Sequence, residues 1–328
     1  MKYLKLFDKH QDYESFQPNM LTPNVSYCQL EDEVHFNEFK DTRLVAKFNV
    51  TSTSGPTFIA DSVDEITKYC SAIEIDGVNM ETMSNSYTFG STGEHIVKYT
   101  LKDPTEVTAE MFYNITNVTD VIIPDSVTKI GIESFINSSL ESIILSKNLT
   151  VIESQAFNKC ANLKRVIIPD SVTTLGTGVF GDCTSLEMIT IGNSLTEIPD
   201  RTFYSCSSLT NVVIPNSVTK VGDGNYIFYG CTALSTITIG TGVTQIGQKA
   251  FSVGPNSNLV SITSLSATPA SLTGTQDDQH MDSWAFYYTN DCPIYVPSES
   301  LADYKESPAN GGWAITVDTK ARFQAIPA

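Results

Sequence analysis

Phenylalanine marks a regular beat through the middle of the chain, at Phe112, Phe135, Phe157, Phe180, Phe203, Phe228 and Phe251, with steps of 22 to 25 residues. Three residues after four of these rings stands a cysteine, Cys160, Cys183, Cys206 or Cys231, and three further on a leucine, Leu163, Leu186, Leu209 or Leu234. Apolar, mostly β-branched triplets follow at 121–123, 143–145, 166–168, 189–191, 212–214 and 237–239. Next come a turn, then Val127, Leu149, Val172, Leu195, Val218 or Val243, then another apolar residue three positions later. A repeat of this length predicts stacked coils, because one coil cannot bury its own apolar side and neighbouring coils share a continuous core. Each coil supplies a short strand to a parallel sheet. Phenylalanine fills the wide side of the coil, cysteine fits a tight turn as a small apolar residue, and leucine and alternate strand positions point inward. The period is also doubled: "IPDSV" or "IPNSV" alternates with "LSKNL", "IGNSL" and "IGTGV". Two coils depart from the pattern, with Ile115 and Val118 in the cysteine and leucine columns of the first, and Ser138 near the cysteine column of the next.

Units such as "FNKCANLKRVIIPDSVTTLG" (157–176) resemble leucine-rich repeats of the BspA-like type over about residues 109–263. The resemblance implies a mainly β fold with short helical or 3-10 turns: a right-handed leucine-rich-repeat solenoid with a parallel ladder over 106–263. Strand positions that face outward form two columns. One runs Asp120, Ser142, Arg165, Met188, Asn211, Thr236, and the other Ile122, Ile144, Ile167, Thr190, Val213, Thr238. The second is the candidate partner-contact stripe, an exposed β-branched row that reads as a partner surface. The competing explanation is that β-branched residues suit a parallel ladder whatever they face.

The flanks read differently. Residues 43–105 alternate in short segments ("RLVAKFNV", "AIEIDGV", "HIVKYTL"), as in a small antiparallel β-domain, with Asp76-Gly77 as a hairpin turn. An Ig-like sandwich that caps the open end of the solenoid is expected. Residues 264–328 are the expected C-terminal cap, with a strand at "CPIYVP", a short helix from about Ser298, and Trp284 and Trp313 as capping residues. Residues 1–42 fit neither part. Their "YESF", "PNVSYC" and "EVHFN" resemble a module at the front of virion proteins of gut Bacteroidales phages, including the crAss-like group. That likeness implies an attachment or oligomerisation segment built on Tyr13, Phe16, Pro23, Asn24, Val25, Tyr27, His35 and Phe36, with other virion proteins and sister chains as partners.

Composition narrows the function. A net charge of −17 disfavours nucleic acid and anionic membrane surfaces. The N-terminal apolar stretch breaks at Asp8 and Lys9, short of a signal peptide, and no window is long and apolar enough to span a membrane. The seven cysteines form no C-x-x-C pair, and His10, His35, His95 and His280 have no partner at ligand spacing. No nucleophile elbow or P-loop occurs; "GTGVFGD" (176–182) mimics a phosphate loop but lacks the following lysine. Asp277-Asp278 reads as a solvated pair, with loop calcium as the alternative. No catalysis, cofactor or metal is therefore expected. The expected function is a bacteriophage virion structural protein, a fibre or decoration component assembled in the host cytoplasm. Its solenoid would contact host surface protein or glycan. The alternative is a bacterial BspA-like cell-surface adhesin.

Overall fold

The computed structural model describes residues 42–222, 226–255, 257–272, 285–286, 289, 292–306, 313 and 322–327. Arg43–Ala328 form one compact unit. Its spine is a thirteen-stranded sheet. The ladder strands Val118–Ile122, Ser142–Ile144, Arg165–Ile167, Met188–Thr190, Asn211–Ile214, Thr236–Ile239, Ser261–Ser264, Ile294–Val296 and Phe323–Ala325 lie side by side in chain order and in parallel. Successive coils pair in register, so each side chain sits beside its own counterpart: Asn211 beside Thr236 beside Ser261, for example.

The opposite wall holds a second ladder that the repeat pattern did not reveal as strands. Two-residue strands Glu106–Val107, Lys129–Ile130, Val151–Ile152 and Thr174–Leu175 make one four-stranded parallel sheet, and Glu197–Ile198, Lys220–Val221, Gln245–Ile246 and Ser271–Leu272 make another. The residue after each strand extends the pairing through its N–H, as Gly176 does to the Ile152 carbonyl (2.8 Å) and Gly222 to the Ile198 carbonyl (2.8 Å). The ladder breaks where that residue is Pro199, which has no N–H to give to the preceding coil.

Between the walls runs the phenylalanine column. From Phe112 to Phe286 the rings stack with centroids 5.0 to 6.1 Å apart and planes within 5° to 12° of parallel. The alternation of turns has a contact origin. In the proline coils the side chains of Asp170 and Asn216 accept the N–H of Asn193 and Thr241 in the next coil, at 2.8 and 2.9 Å. At these two close approaches glycine stands opposite the proline: a Cβ on Gly192 would lie 2.3 Å from the Pro169 carbonyl oxygen, and one on Gly240 2.7 Å from the Pro215 carbonyl. In the first proline coil Ser146 takes that place, and the bond from the Lys147 N–H to Asp125 is longer, at 3.4 Å.

At the N-terminal end, the antiparallel strands expected over 43–105 are present. They do not form a separate sandwich. Leu44–Val50 pairs antiparallel with the first ladder strand, Gly93–Leu101 with Leu44–Val50, and Cys70–Ile75 with Gly93–Leu101, so the same sheet continues. The reason is that an open ladder edge and an open core end are both closed by one extension. Tyr99 packs edge-on against Phe112 at 5.4 Å and donates its hydroxyl to the Ile59 carbonyl at 2.6 Å. Asp76 and Gly77 both have positive φ and turn the chain into Val78–Asn79 as expected, whereas the helix Val63–Tyr69 was not anticipated. At the other end, Ile294–Val296 is followed by a 3-10 turn, Ser298–Ser300, and the helix Leu301–Tyr304. Buried Trp313 packs on Phe286 at 5.2 Å and edge-on to Tyr304 at 4.7 Å, and its indole N–H donates to the Ala270 carbonyl at 2.7 Å, which fits the capping role. Trp284 lies outside the described residues.

The outer face of the antiparallel strands carries an ion-pair network. Arg43 donates to Glu74 at 2.8 Å, Lys98 lies 3.1 Å from Glu74, and Lys47 bridges Asp120 (2.8 Å) and Glu94 (3.2 Å). The hydrogen bond from Arg43, opposed by burial and aided by Lys98, holds the Glu74 carboxyl below its usual range. A carboxyl depressed by folding stabilises the fold above its unfolded value, about pH 4.3, and loses that contribution as pH falls through the folded value. Glu74→Gln is therefore expected to be less stable than the parent at pH 7 and to lose less stability between pH 7 and pH 3. Urea unfolding across that range checks this, and parallel curves for the two proteins would refute it.

Candidate functional site

The outward face of the ladder presents one row of side chains per strand position, repeated from coil to coil. Ile144, Ile167, Thr190 and Thr238 are half-buried and Val213 is 49% exposed. Ile122 departs from the expected exposed stripe. It is 2% exposed, because its strand is flanked by Leu44–Val50 rather than by another coil, with Val45, itself fully buried, as its direct partner. The stripe therefore starts at Ile144. It extends past the predicted end, since Thr238 pairs with Thr263 and Thr263 with Tyr295.

Beside it runs the second row: Ser142, Arg165, Met188, Asn211, Thr236 and Ser261. The row is tied by side-chain hydrogen bonds at both ends. Ser142 and Thr119 donate to the buried Asp120, and Thr236 donates to Asn211 at 2.6 Å. In the middle, Met188 is 37% exposed and lies next to Asn211, two residues from Val213. Met188 and Val213 thus make an exposed apolar spot on the outward face, with Arg165 beside Met188. The ion-pair network closes the face at its N-terminal side.

The other expected sites fall as follows. Tyr13, Phe16, Pro23, Asn24, Val25, Tyr27, His35 and Phe36 lie outside the described residues, as do His10, His280 and Asp277-Asp278. His95 is a satisfied structural histidine: its ring nitrogens lie 2.6 Å from the Asp76 carboxylate and 3.0 Å from the Ser91 carbonyl, and its ring packs on Phe89 at 4.4 Å. Among the described residues, no group of three or more His, Cys, Asp and Glu could hold a metal ion, and no helix is long and apolar enough to cross a membrane.

A family model described as a BspA type leucine rich repeat region matches six copies over residues 105–225 and 196–303. Among solved structures, a leucine-rich repeat protein of T. pallidum is 29% identical over 47% of this chain and 71% of its own, with a TM-score of 0.43. The pneumococcal vaccine antigen PcpA is 21% identical over 67% of this chain and 59% of its own (TM-score 0.46). A leucine-rich cell surface protein from Faecalibacterium prausnitzii is 20% identical over 74% of this chain and 86% of its own (TM-score 0.36). No curated protein matches the chain.

Among the described residues, the cysteine column forms a regular array of thiols in the core. Each thiol donates to the carbonyl of the phenylalanine one coil earlier: Cys160 to Phe135, Cys183 to Phe157 and Cys206 to Phe180 at 3.1 Å, and Cys231 to Phe203 at 3.0 Å. Cysteine is thus chosen for its weak donor as well as its size, and Ser138 stands in the same column 3.4 Å from Cys160. Burial pushes the Cys160 thiol up to about 12 and those of Cys183 and Cys206 well above the ordinary value. Reactive and metal-binding cysteine is thiolate, and these groups stay protonated at neutral pH. Iodoacetamide at pH 8 is expected to leave Cys160, Cys183 and Cys206 unmodified in the folded protein and to modify all three in denaturant. Peptide mass spectrometry reads the sites, and labelling of the folded column would show it to be accessible.

Proposed function

The chain belongs to the BspA-type leucine-rich repeat family, and from that premise we propose that it is a non-enzymatic binding protein that presents its outward sheet face to a protein or glycan at a host surface. The observation that carries this reading is the in-register row from Ile144 to Tyr295, with Val213 exposed in it and Met188 exposed in the row beside it. A flat row of small contacts repeated once per coil binds through extent, and many copies on one particle or cell turn weak contacts into firm attachment. The double variant Met188→Lys/Val213→Lys is expected to cut adhesion of protein-coated beads to gut Bacteroidales cells at least tenfold. Both positions are exposed, so stability should change by no more than about 0.5 kcal/mol. Undiminished adhesion by a folded variant would remove the sheet face as the contact surface.

The setting we propose is a phage particle, with the protein as a fibre or decoration component joined to other virion proteins and to sister chains through residues 1–42. The support is the likeness of "YESF", "PNVSYC" and "EVHFN" to the front of such virion proteins. A bacterial cell-surface adhesin of the same repeat type is the alternative. Deletion of residues 1–42 is expected to leave a folded solenoid of lower oligomeric mass in light scattering. A mass per assembly unchanged apart from the missing segment would count against the attachment role.

A further inference from the structure

The turn edge of the solenoid, next to the phenylalanine column, holds a groove of about 330 Å³ that spans three successive coils. Its origin is a missing layer of side chains. The position two before each ring carries Gln155, then Gly178, then Arg201; the position one after carries Asn158, then Gly181, then Tyr204. The middle coil alone is glycine at both. Its glycines are the floor of the groove, and the side chains of the coils before and after are its walls. This is the "GTGVFGD" run, and it does not cradle a phosphate. The N–H of Gly176 goes to the Ile152 carbonyl (2.8 Å), that of Gly178 to Asp200 (3.0 Å) and that of Gly181 to Gly178 (3.1 Å), so these backbone donors are taken.

One wall is aromatic. Tyr204 stacks on Tyr229 of the following coil with centroids 6.0 Å apart and planes 18° from parallel. Column order makes Gly181 the next member of that stack, so the second face of the Tyr204 ring looks onto an empty place. The other wall is the buried Asn158, fixed by its amide donating to the Gly181 carbonyl at 3.0 Å. A Cβ at Gly181 would lie 2.6 Å from that amide nitrogen, so the gap is kept by Asn158 itself. A ring placed between two walls needs about 3.5–4.0 Å on each face. The phenylalanine steps at this level, 5.5 Å and 6.0 Å, set layers far enough apart to supply it. The Pro199 break in the second ladder falls between the second and third of these three coils.

The rim of the gap is polar. Lys159 and Arg201 are exposed and make no ion pair among the described residues, and Asp182 is half-buried beside them. Two such cations stand out on a chain of net charge −17. A stacking face with donors and an acceptor all round the edge suits a ring that is hydroxylated at its edge rather than a hydrocarbon one, and a guanidinium matches a carboxylate in two-pronged geometry. We infer that this groove is a subsite for an acidic sugar: a pyranose ring takes the vacant third place on the Tyr229–Tyr204 stack, and its carboxylate lies between Lys159 and Arg201.

The site is independent of the sheet face, so Met188→Lys/Val213→Lys serves as a control. Gly178→Gln fills the gap with the side chain that the same column carries one coil earlier. Gln155 has φ 57° and Gly178 φ 66°, and the new Cβ meets nothing closer than 3.6 Å, so the variant is expected to fold. Titration calorimetry with trigalacturonate should show saturable binding to the full chain, weakened at least tenfold by Gly178→Gln, Tyr204→Ala and Arg201→Gln, each shown to be folded by circular dichroism, and unaffected by the sheet-face control. Maltotriose should bind at least tenfold more weakly. Failure of the parent to bind trigalacturonate, or retention of binding by Gly178→Gln, overturns the site. Equal binding of maltotriose overturns its acidic specificity. Equal competition by inorganic phosphate reduces it to a simple anion site and overturns the sugar assignment.

Discussion

Parallel coils repeat at the strand spacing, about 4.8 Å, so every side chain in the solenoid must stack on its own counterpart. Phenylalanine meets that constraint better than any aliphatic residue. A flat ring stacks on its copy at a spacing close to the strand repeat, and from Phe112 to Phe286 the column does so at 5.0 to 6.1 Å. The rest of the coil is arranged around it. Residues two before the rings turn the chain in the left-handed region, as at Gln155 and Arg201. The ring's own carbonyl accepts the N–H of the residue three further on, as Phe157 does from Cys160 at 3.2 Å, and the next coil adds a thiol to the same oxygen, Cys183 at 3.1 Å. The cysteine column thus follows the phenylalanine column coil by coil.

Columns built this way were legible because one residue type recurs at each position. Phe, Cys, Leu and Val all lie in the core where the repeat placed them. What was illegible depends on neighbours that a repeat does not encode. Two-residue strands with a polar first member, such as Lys129–Ile130 or Glu197–Ile198, look like turns; only pairing to the adjacent coil makes them strands. The doubled period was visible, but the close approach of Gly192 to Pro169 exists only between coils. Ile122 obeys the column rule in sequence and breaks it in space, since the strand beside it belongs to the antiparallel cap. The helix Val63–Tyr69 lies in the same cap, where no repeat was available to read.

The groove shows the same limit from the other side. Gly178 and Gly181, read along the chain, made a poor copy of a phosphate loop. Read down the columns, they are two absences at one level, between Gln155 and Arg201 and between Asn158 and Tyr204. An absence carries no residue-level signal, and it acquires meaning only when the layers above and below are known to be 5.5 and 6.0 Å away.

The stacking rule also decides where such a chain is free to specialise. A change in the core must suit the coil before and the coil after, so the interior is driven to uniformity. Outward sheet positions and turn-edge positions need only share a backbone conformation with their neighbours. That is why Arg165, Met188 and Asn211 differ along one outward row while Val166, Ile189 and Val212 beneath them do not differ in kind. It is also why the solenoid survives a break in its second ladder at Pro199. The main sheet stays continuous across that level, as does the ring column. A repeat can thus open a gap on its edge beside an unbroken core, and the groove over Gly178 and Gly181 lies at a level where the ring column is continuous.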